Sequence, residues 1–201
     1  MELAAAVSFA AATRIARFPV TNEFGDWDTA LHTFTFANAV EQGLRRSPSI
    51  ELLRGVFDAA MSVYVDRFLN VPVTRLPQPR PVDGPDGPLD ELPELLDRQQ
   101  RVDEAAQLVA SYLAAGCDAA RLVRAIGAAL VRENRNFHTI QCVEASIRQH
   151  ELLRGTDDAA LPLVAAARYL AAHATTTRSQ RQTFDIARRL HRGERLYEEV
   201  V

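Results

Sequence analysis

The chain contains no lysine: all 23 of its basic residues are arginine. That absence excludes Schiff-base catalysis, a pyridoxal-phosphate anchor, a P-loop lysine and a carboxylated-lysine metal ligand. Cysteine is nearly absent too. Cys117 and Cys142 stand alone, with no C-x-x-C and no paired spacing. A disulfide framework, a zinc knuckle or a cysteine-ligated iron–sulfur cluster is therefore unsupported, and reduced cytosolic thiols are the simplest expectation. The nine glycines are scattered, so no phosphate-cradling loop forms, and there is no G-x-S-x-G elbow. No apolar run approaches the ~20 residues of a membrane span. Met1-Glu2-Leu3 opens with an acid and no basic stretch, so no signal peptide is expected. A net charge of −3 gives no general attraction to nucleic acid. Arg188, Arg189, Arg192 and Arg195 read as one solvated helix face. The expected location is the cytoplasm, with neither nucleic acid nor membrane as a partner.

What remains is an alanine-rich chain, 47% apolar and 24% charged over 201 residues. Alanine and leucine lose least on entering a helix, so an all-α fold is expected, as one helical domain over 1–201. One stretch breaks the pattern. Residues 71–93 hold Pro72, Pro77, Pro79, Pro81, Pro85, Pro88 and Pro93, with Gly84 and Gly87. Proline removes backbone donors and fixes φ, so this is an extended surface linker, either a plain crossover or a lid. Helices are expected over Glu2–Phe18, from an Asp28 cap to Arg46, and from a Ser49 cap to about Asn70. After the linker come Leu89–Ala115, either whole or broken at Pro93, then Asp118–Arg132, Asn136–Arg154, Asp158–His173 and Ser179–Arg192. The expected core takes one face each of Phe34, Phe57, Tyr64, Leu130, Ile140 and Leu170.

The two ends of the chain resemble each other. Leu31-His32-Thr33-Phe34 matches Phe137-His138-Thr139-Ile140 at an offset of 106, and Tyr64 matches Tyr169 at 105. Two anchors at nearly one offset suggest a degenerate duplication, with pseudo-symmetric half-repeats 1–70 and 116–193. The halves differ in their connectors. Glu133-Asn134-Arg135-Asn136 is tight, whereas Pro19 to Asp28 is longer, holds the one tryptophan and carries Glu23, Asp26 and Asp28. Helix capping alone accounts for a carboxylate there; the other reading is a wall of an active site.

In a pseudo-twofold bundle, equivalent positions near the axis meet. His32 and His138 there, with a carboxylate or His173, could hold a first-row metal. Each could instead bond only within its own half. His173 and His191 also suit helix C-termini, and His150 is expected to be exposed. Glu41 and Glu144, mid-helix, are expected to face water. No H-x-H, H-E-x-x-H or E-x-x-H motif supports the metal. Cys142 lies four residues after His138, a spacing that usually means packing.

The run from Asn22 through Trp27 and His32 to Ala39, with Arg135-Asn136-Phe137-His138-Thr139-Ile140-Gln141, resembles the questin-oxidase-like helical proteins. It is also similar to helical modules associated with bacterial Rieske-type proteins. The first resemblance implies non-haem iron chemistry on polycyclic aromatic substrates, with His32, His138 and His173 carried over as ligands.

The function expected from these readings is a non-haem metal-dependent oxidoreductase or oxygenase acting on an aromatic or polyketide-like small molecule. The cofactor is a divalent metal, iron by preference. His32, His138 and His173 bind it, and Glu23, Asp26 or Asp28 completes the shell or acts as base. Phe24, Trp27, Phe36 and Phe137 wall the substrate pocket. A second copy of the chain or a redox protein is the expected protein partner. The alternative is a non-catalytic helical interaction or ligand-binding module whose histidines are structural. A third reading is metal-free acid–base catalysis by a pair such as His32 with Asp28.

Overall fold

Alanine and leucine dominate the periodic segments, and in the computed structural model those segments are helices. Residues 1–82, 87–98, 101–132, 136–173 and 179–194 are described. Among them are nine α-helices and no strand: α1 (Glu2–Ala16), α2 (Phe24–Arg46), α3 (Ile50–Val65), α4 (Leu92–Asp97), α5 (Val102–Ala114), α6 (Ala119–Arg132), α7 (Phe137–Leu152), α8 (Leu161–His173) and α9 (Ser179–His191). None is long and apolar enough to cross a membrane. The connector residues Glu133, Asn134 and Arg135, the linker residues 83–86, the threonines after Ala174, and Arg195 lie outside the described residues.

Local chemistry sets the helix ends. Ser49 Oγ accepts the Leu52 amide at 3.2 Å at the start of α3. Asn136 and Thr139 form a reciprocal capping box on α7, each side chain 3.0 Å from the other's amide. Gly116 (φ +73°) ends α5 in the left-handed region, and Cys117 N returns to Tyr112 O at 3.3 Å. Two boundaries differ from expectation. Helix α2 starts one turn early, at Phe24, after an extended Glu23 that makes no side-chain cap, so Asp28 is a helical residue and not the cap. The expected 89–115 helix is divided, but after Asp97 and not at Pro93. Pro93 sits in the first turn of α4, where no backbone donor is needed, and Arg98 is extended (φ −102°) before α5.

The hydrophobic centre is α8. Every residue from Pro162 to Ala171 is buried, with α1, α5 and α7 around it. Small side chains let these helices approach closely, and the core is largely alanine with Phe18, Trp27, Phe34, Tyr112 and Tyr169 between. Phe34 and Leu170 are buried and Leu130 partly so, as the periodicity predicts. Phe57, Tyr64 and Ile140 are not core: they are 67%, 58% and 48% exposed. Helix α3 turns its small face, Gly55, Val56 and Ala59, to the protein. A Cβ at Gly55 would sit 3.1 Å from Val40 Cγ2, so the tight approach of α2 selects that face and sends the aromatic one outward. Helix α7 likewise buries Cys142, Val143, Ala145 and Ser146 and leaves Ile140 outside.

Buried polar groups tie distant helices. Glu41 is fully buried, contrary to expectation; its carboxylate accepts Arg45 at 2.7 Å and Gln149 at 2.8 Å, and Gln149 also donates to Asn38 at 3.0 Å. Arg168 donates to Phe18 O at 2.7 Å and to Asp103 at 2.5 Å. Glu144 is exposed beside Arg148, as expected. Residues 73–82 have no regular secondary structure. They are held by Thr74 N to Arg17 O (3.0 Å), Gln107 to Gln78 O (2.5 Å) and Arg80 N to Ser111 Oγ (3.0 Å).

Candidate active site

Three helices bring polar side chains to one place. Helix α2 supplies Asp28 and His32, one turn apart on one side; α7 supplies His138; α8 supplies Tyr169 and His173, again one turn apart. The His32 and His138 rings meet at Nε2···Nε2 3.0 Å. Asp28 lies behind them. Its Oδ2 is 3.7 Å from His138 Nδ1, and its Oδ1 accepts the Tyr169 hydroxyl at 2.5 Å and lies 3.4 Å from His173 Nε2.

The proton positions follow from the partners. A carbonyl only accepts, so the 2.8 Å contact of His173 Nδ1 with Tyr169 O places a proton on Nδ1. His173 Nε2 is buried and makes no hydrogen bond. Burial holds the His173 imidazole below its ordinary pKa, against the pull of the Tyr169 carbonyl and Asp28 toward protonation; nearby His138 adds to the lowering. Burial first, and then the Asp28 carboxylate, push the Tyr169 phenol far up, so it is a donor and never a phenolate. Aromatic rings enclose the cluster. His173 stacks on Tyr169 at 3.9 Å, Trp27 meets it edge-on at 6.3 Å, Phe24 lies at 5.3 Å, and Phe137 covers His138 at 3.8 Å. An open cleft of about 670 Å³ is lined by Glu23, Phe24, Trp27, Val102 and Ala172 among others, and meets the cluster only through the Phe24 and Trp27 rings, since neither the histidines nor Asp28 line it.

Of the residues picked from sequence, Asp28, His32, His138, His173, Phe24, Trp27 and Phe137 gather here. Glu23 is exposed on the cleft rim. Asp26 turns to Asn22 Nδ2 at 3.3 Å. Phe36 does not join them: its ring tip lies 3.9 Å from where a Cβ of Gly55 on α3 would be, because it occupies the α3-facing side of α2. The expected His32–Asp28 pairing is replaced, since Asp28 turns to α7 and α8 while His32 reaches across to His138. Tyr169 was legible only as a repeat anchor; its place one turn before His173 was the available signal. Cys142 is fully buried with its thiol pushed up to about 12, which removes it as a nucleophile. His150 is buried rather than exposed, and His191 is exposed at the end of α9.

Among the described residues, no group of three or more His, Cys, Asp or Glu side chains is arranged to hold a metal ion. The 3.0 Å separation of His32 Nε2 and His138 Nε2 is that of a hydrogen bond in which one ring donates to the other, and an ion held by both would have to take the place of that proton. Asp28 Oδ2, 3.7 Å from His138 Nδ1, is beyond hydrogen-bond distance but on the side from which a carboxylate orients a ligating histidine. Compared with known proteins, the chain matches no family model, and no curated protein or solved structure matches it.

Proposed function

We propose that the chain is a non-haem metal-dependent oxidoreductase, an oxygenase or oxidase, acting on an aromatic or polyketide-like small molecule. The observation that carries this reading is the approach of His32 and His138 through their Nε2 atoms, with the Phe137 ring against His138. His32 and His138 would hold the ion, and their partial exposure leaves positions for water and substrate. Bound ferrous iron would supply dioxygen binding and one-electron chemistry. Asp28 would face the Nδ1 side of His138, and the Tyr169 hydroxyl holds Asp28 in turn. His173 Nε2, bare and shielded, is the third imidazole of the site. Phe24, Trp27 and Phe137 would hold a flat substrate and keep water off it. A redox protein or a second copy would be the protein partner. The contact of His32 with His138, one from each end of the chain at an offset of 106, also supports two half-repeats joined by the proline-rich linker.

Metal content by plasma mass spectrometry on untagged protein tests the reading, with His32→Ala and His138→Ala in parallel and circular dichroism to confirm folding. Near-stoichiometric iron, lost in both folded variants, is the expected result. No metal in the wild type after anaerobic reconstitution with ferrous iron would overturn it. The second reading, a non-catalytic helical interaction module, is favoured by the outward apolar face of α3, where Ile50, Leu53, Phe57, Met61 and Tyr64 recur at helical spacing, with Phe68 exposed just beyond its end. It predicts metal-free protein that keeps its partner when both histidines are replaced.

A further inference from the structure

A second cleft, of about 570 Å³, lies between the proline-rich segment, α5 and the approach to α8, separate from the Asp28 cluster. Leu76 and Pro77 form one wall and Leu113 and Val164 another. The outer wall is fixed, because Gln107 and Ser111 of α5 hold the backbone at Gln78 and Arg80. Such a volume lies in the range of small-ligand sites, ~300–1,000 Å³. One polar side chain lines it from inside the protein. His150 is 8% exposed, and its Nδ1–H donates to Ala159 O at 2.7 Å. That bond places the proton on Nδ1, so in the neutral ring Nε2 is an acceptor, and it makes no hydrogen bond to another described residue. Apart from His150, the charged groups lining the cleft are Asp157 and Asp158, both at its exposed edge.

We propose that this cleft is a binding site for an apolar small molecule carrying a primary ammonium group. The body lies against Leu76, Pro77, Leu113 and Val164, an N–H is donated to His150 Nε2, and Asp157 and Asp158 select positive charge. An anion would meet a bare nitrogen lone pair and two carboxylates.

Three probes with one body and different polar groups test this: 1-naphthylmethylamine, 1-naphthalenemethanol and 1-naphthoate. Binding is read from amide chemical shifts in the full chain. The amine is expected to shift residues 110–114 and 156–161 saturably, the alcohol more weakly, and the carboxylate not at all. His150→Phe removes the acceptor and keeps an apolar ring, and should weaken the amine roughly tenfold, one hydrogen bond's worth. Ala114→Trp, at an exposed position on the cleft wall, should abolish the shifts by filling the space even if the His150 variant fails to fold. Carboxylate binding as strong as the amine's overturns the proposal. So do amine-induced shifts confined to the Asp28 cluster, shifts unchanged in Ala114→Trp, or no saturable shift at all.

Discussion

Tyr169 donates its hydroxyl to Asp28 across the boundary between α8 and α2, 141 positions away in sequence, at 2.5 Å. The same carboxylate lies 3.7 Å from His138 Nδ1 and 3.4 Å from His173 Nε2, so one oxygen pair faces rings from two other helices.

Replacing Tyr169 by Phe keeps the ring packing on His173 and Trp27 and removes only that donor. A hydrogen bond to a charged group contributes about 1.5–3 kcal/mol, so urea unfolding should show a loss of about 2 kcal/mol. If iron is bound, its affinity should fall about tenfold or more, because the support behind His138 loosens. Unchanged stability would mean that Asp28 is held by other contacts.

Gln149 ties α7 to α2, donating to both Asn38 and Glu41 in the interior. Gln149→Leu leaves a buried carboxylate oxygen and a buried amide oxygen without their donor. Arg45, partly exposed, still pairs with the other oxygen of Glu41. The expected cost is about 3 kcal/mol by urea unfolding, and a change under 1 kcal/mol would show that the tie contributes little.

Asp66 gives a pH signature. It is buried beside Arg14, and burial raises its pKa above the ordinary carboxylate value, opposed by the Thr33 hydroxyl and Arg14. Between the unfolded value, about 4, and the raised folded value, the native state binds more protons than the unfolded one. Stability from this group therefore rises as pH falls through the folded value and levels off below the unfolded one. Asp66→Asn cannot titrate, so the wild type should gain on the variant as pH is lowered from 7 to 4. A difference independent of pH would refute the burial effect.

The two faces of α3 and α2 can be told apart by paired substitutions. Phe34→Ala should cost about 3–5 kcal/mol, because its side chain is fully buried. Phe57→Ala should change stability by less than about 0.5 kcal/mol, because its ring points outward. Thermal melts at equal concentration compare them directly.

Helix content was readable in the sequence because alanine, leucine and the caps act locally: Ser49, Asp118, Asn136 and Gly116 each set an end through atoms a few residues away. The direction a helix faces is not local. In α3 the large residues looked like a core stripe, but Gly55 and Ala59 opposite permit a closer approach to α2, and that approach decides. The repeated His-Thr string marked His32 and His138 as matching positions. Nothing in it indicated that Asp28 would leave its own turn neighbour for rings on α7 and α8. Tyr169 escaped notice because a phenol inside an alanine-rich helix looks like packing, and only its buried hydroxyl makes it polar. His150 was misread because its neighbours Gln149 and Glu151 suggested a wet surface, yet Gln149 itself points inward.

The proline-rich segment lies between the residues that carry Asp28 and His32 and those that carry His138, Tyr169 and His173. A chain cut there would yield two pieces, each holding an incomplete share of the cluster. Their ring contacts and the Tyr169–Asp28 bond would form only on re-association. The cluster is thus a reporter of whether the two ends of the polypeptide have found each other, and the protein is a natural candidate for a split-fragment sensor.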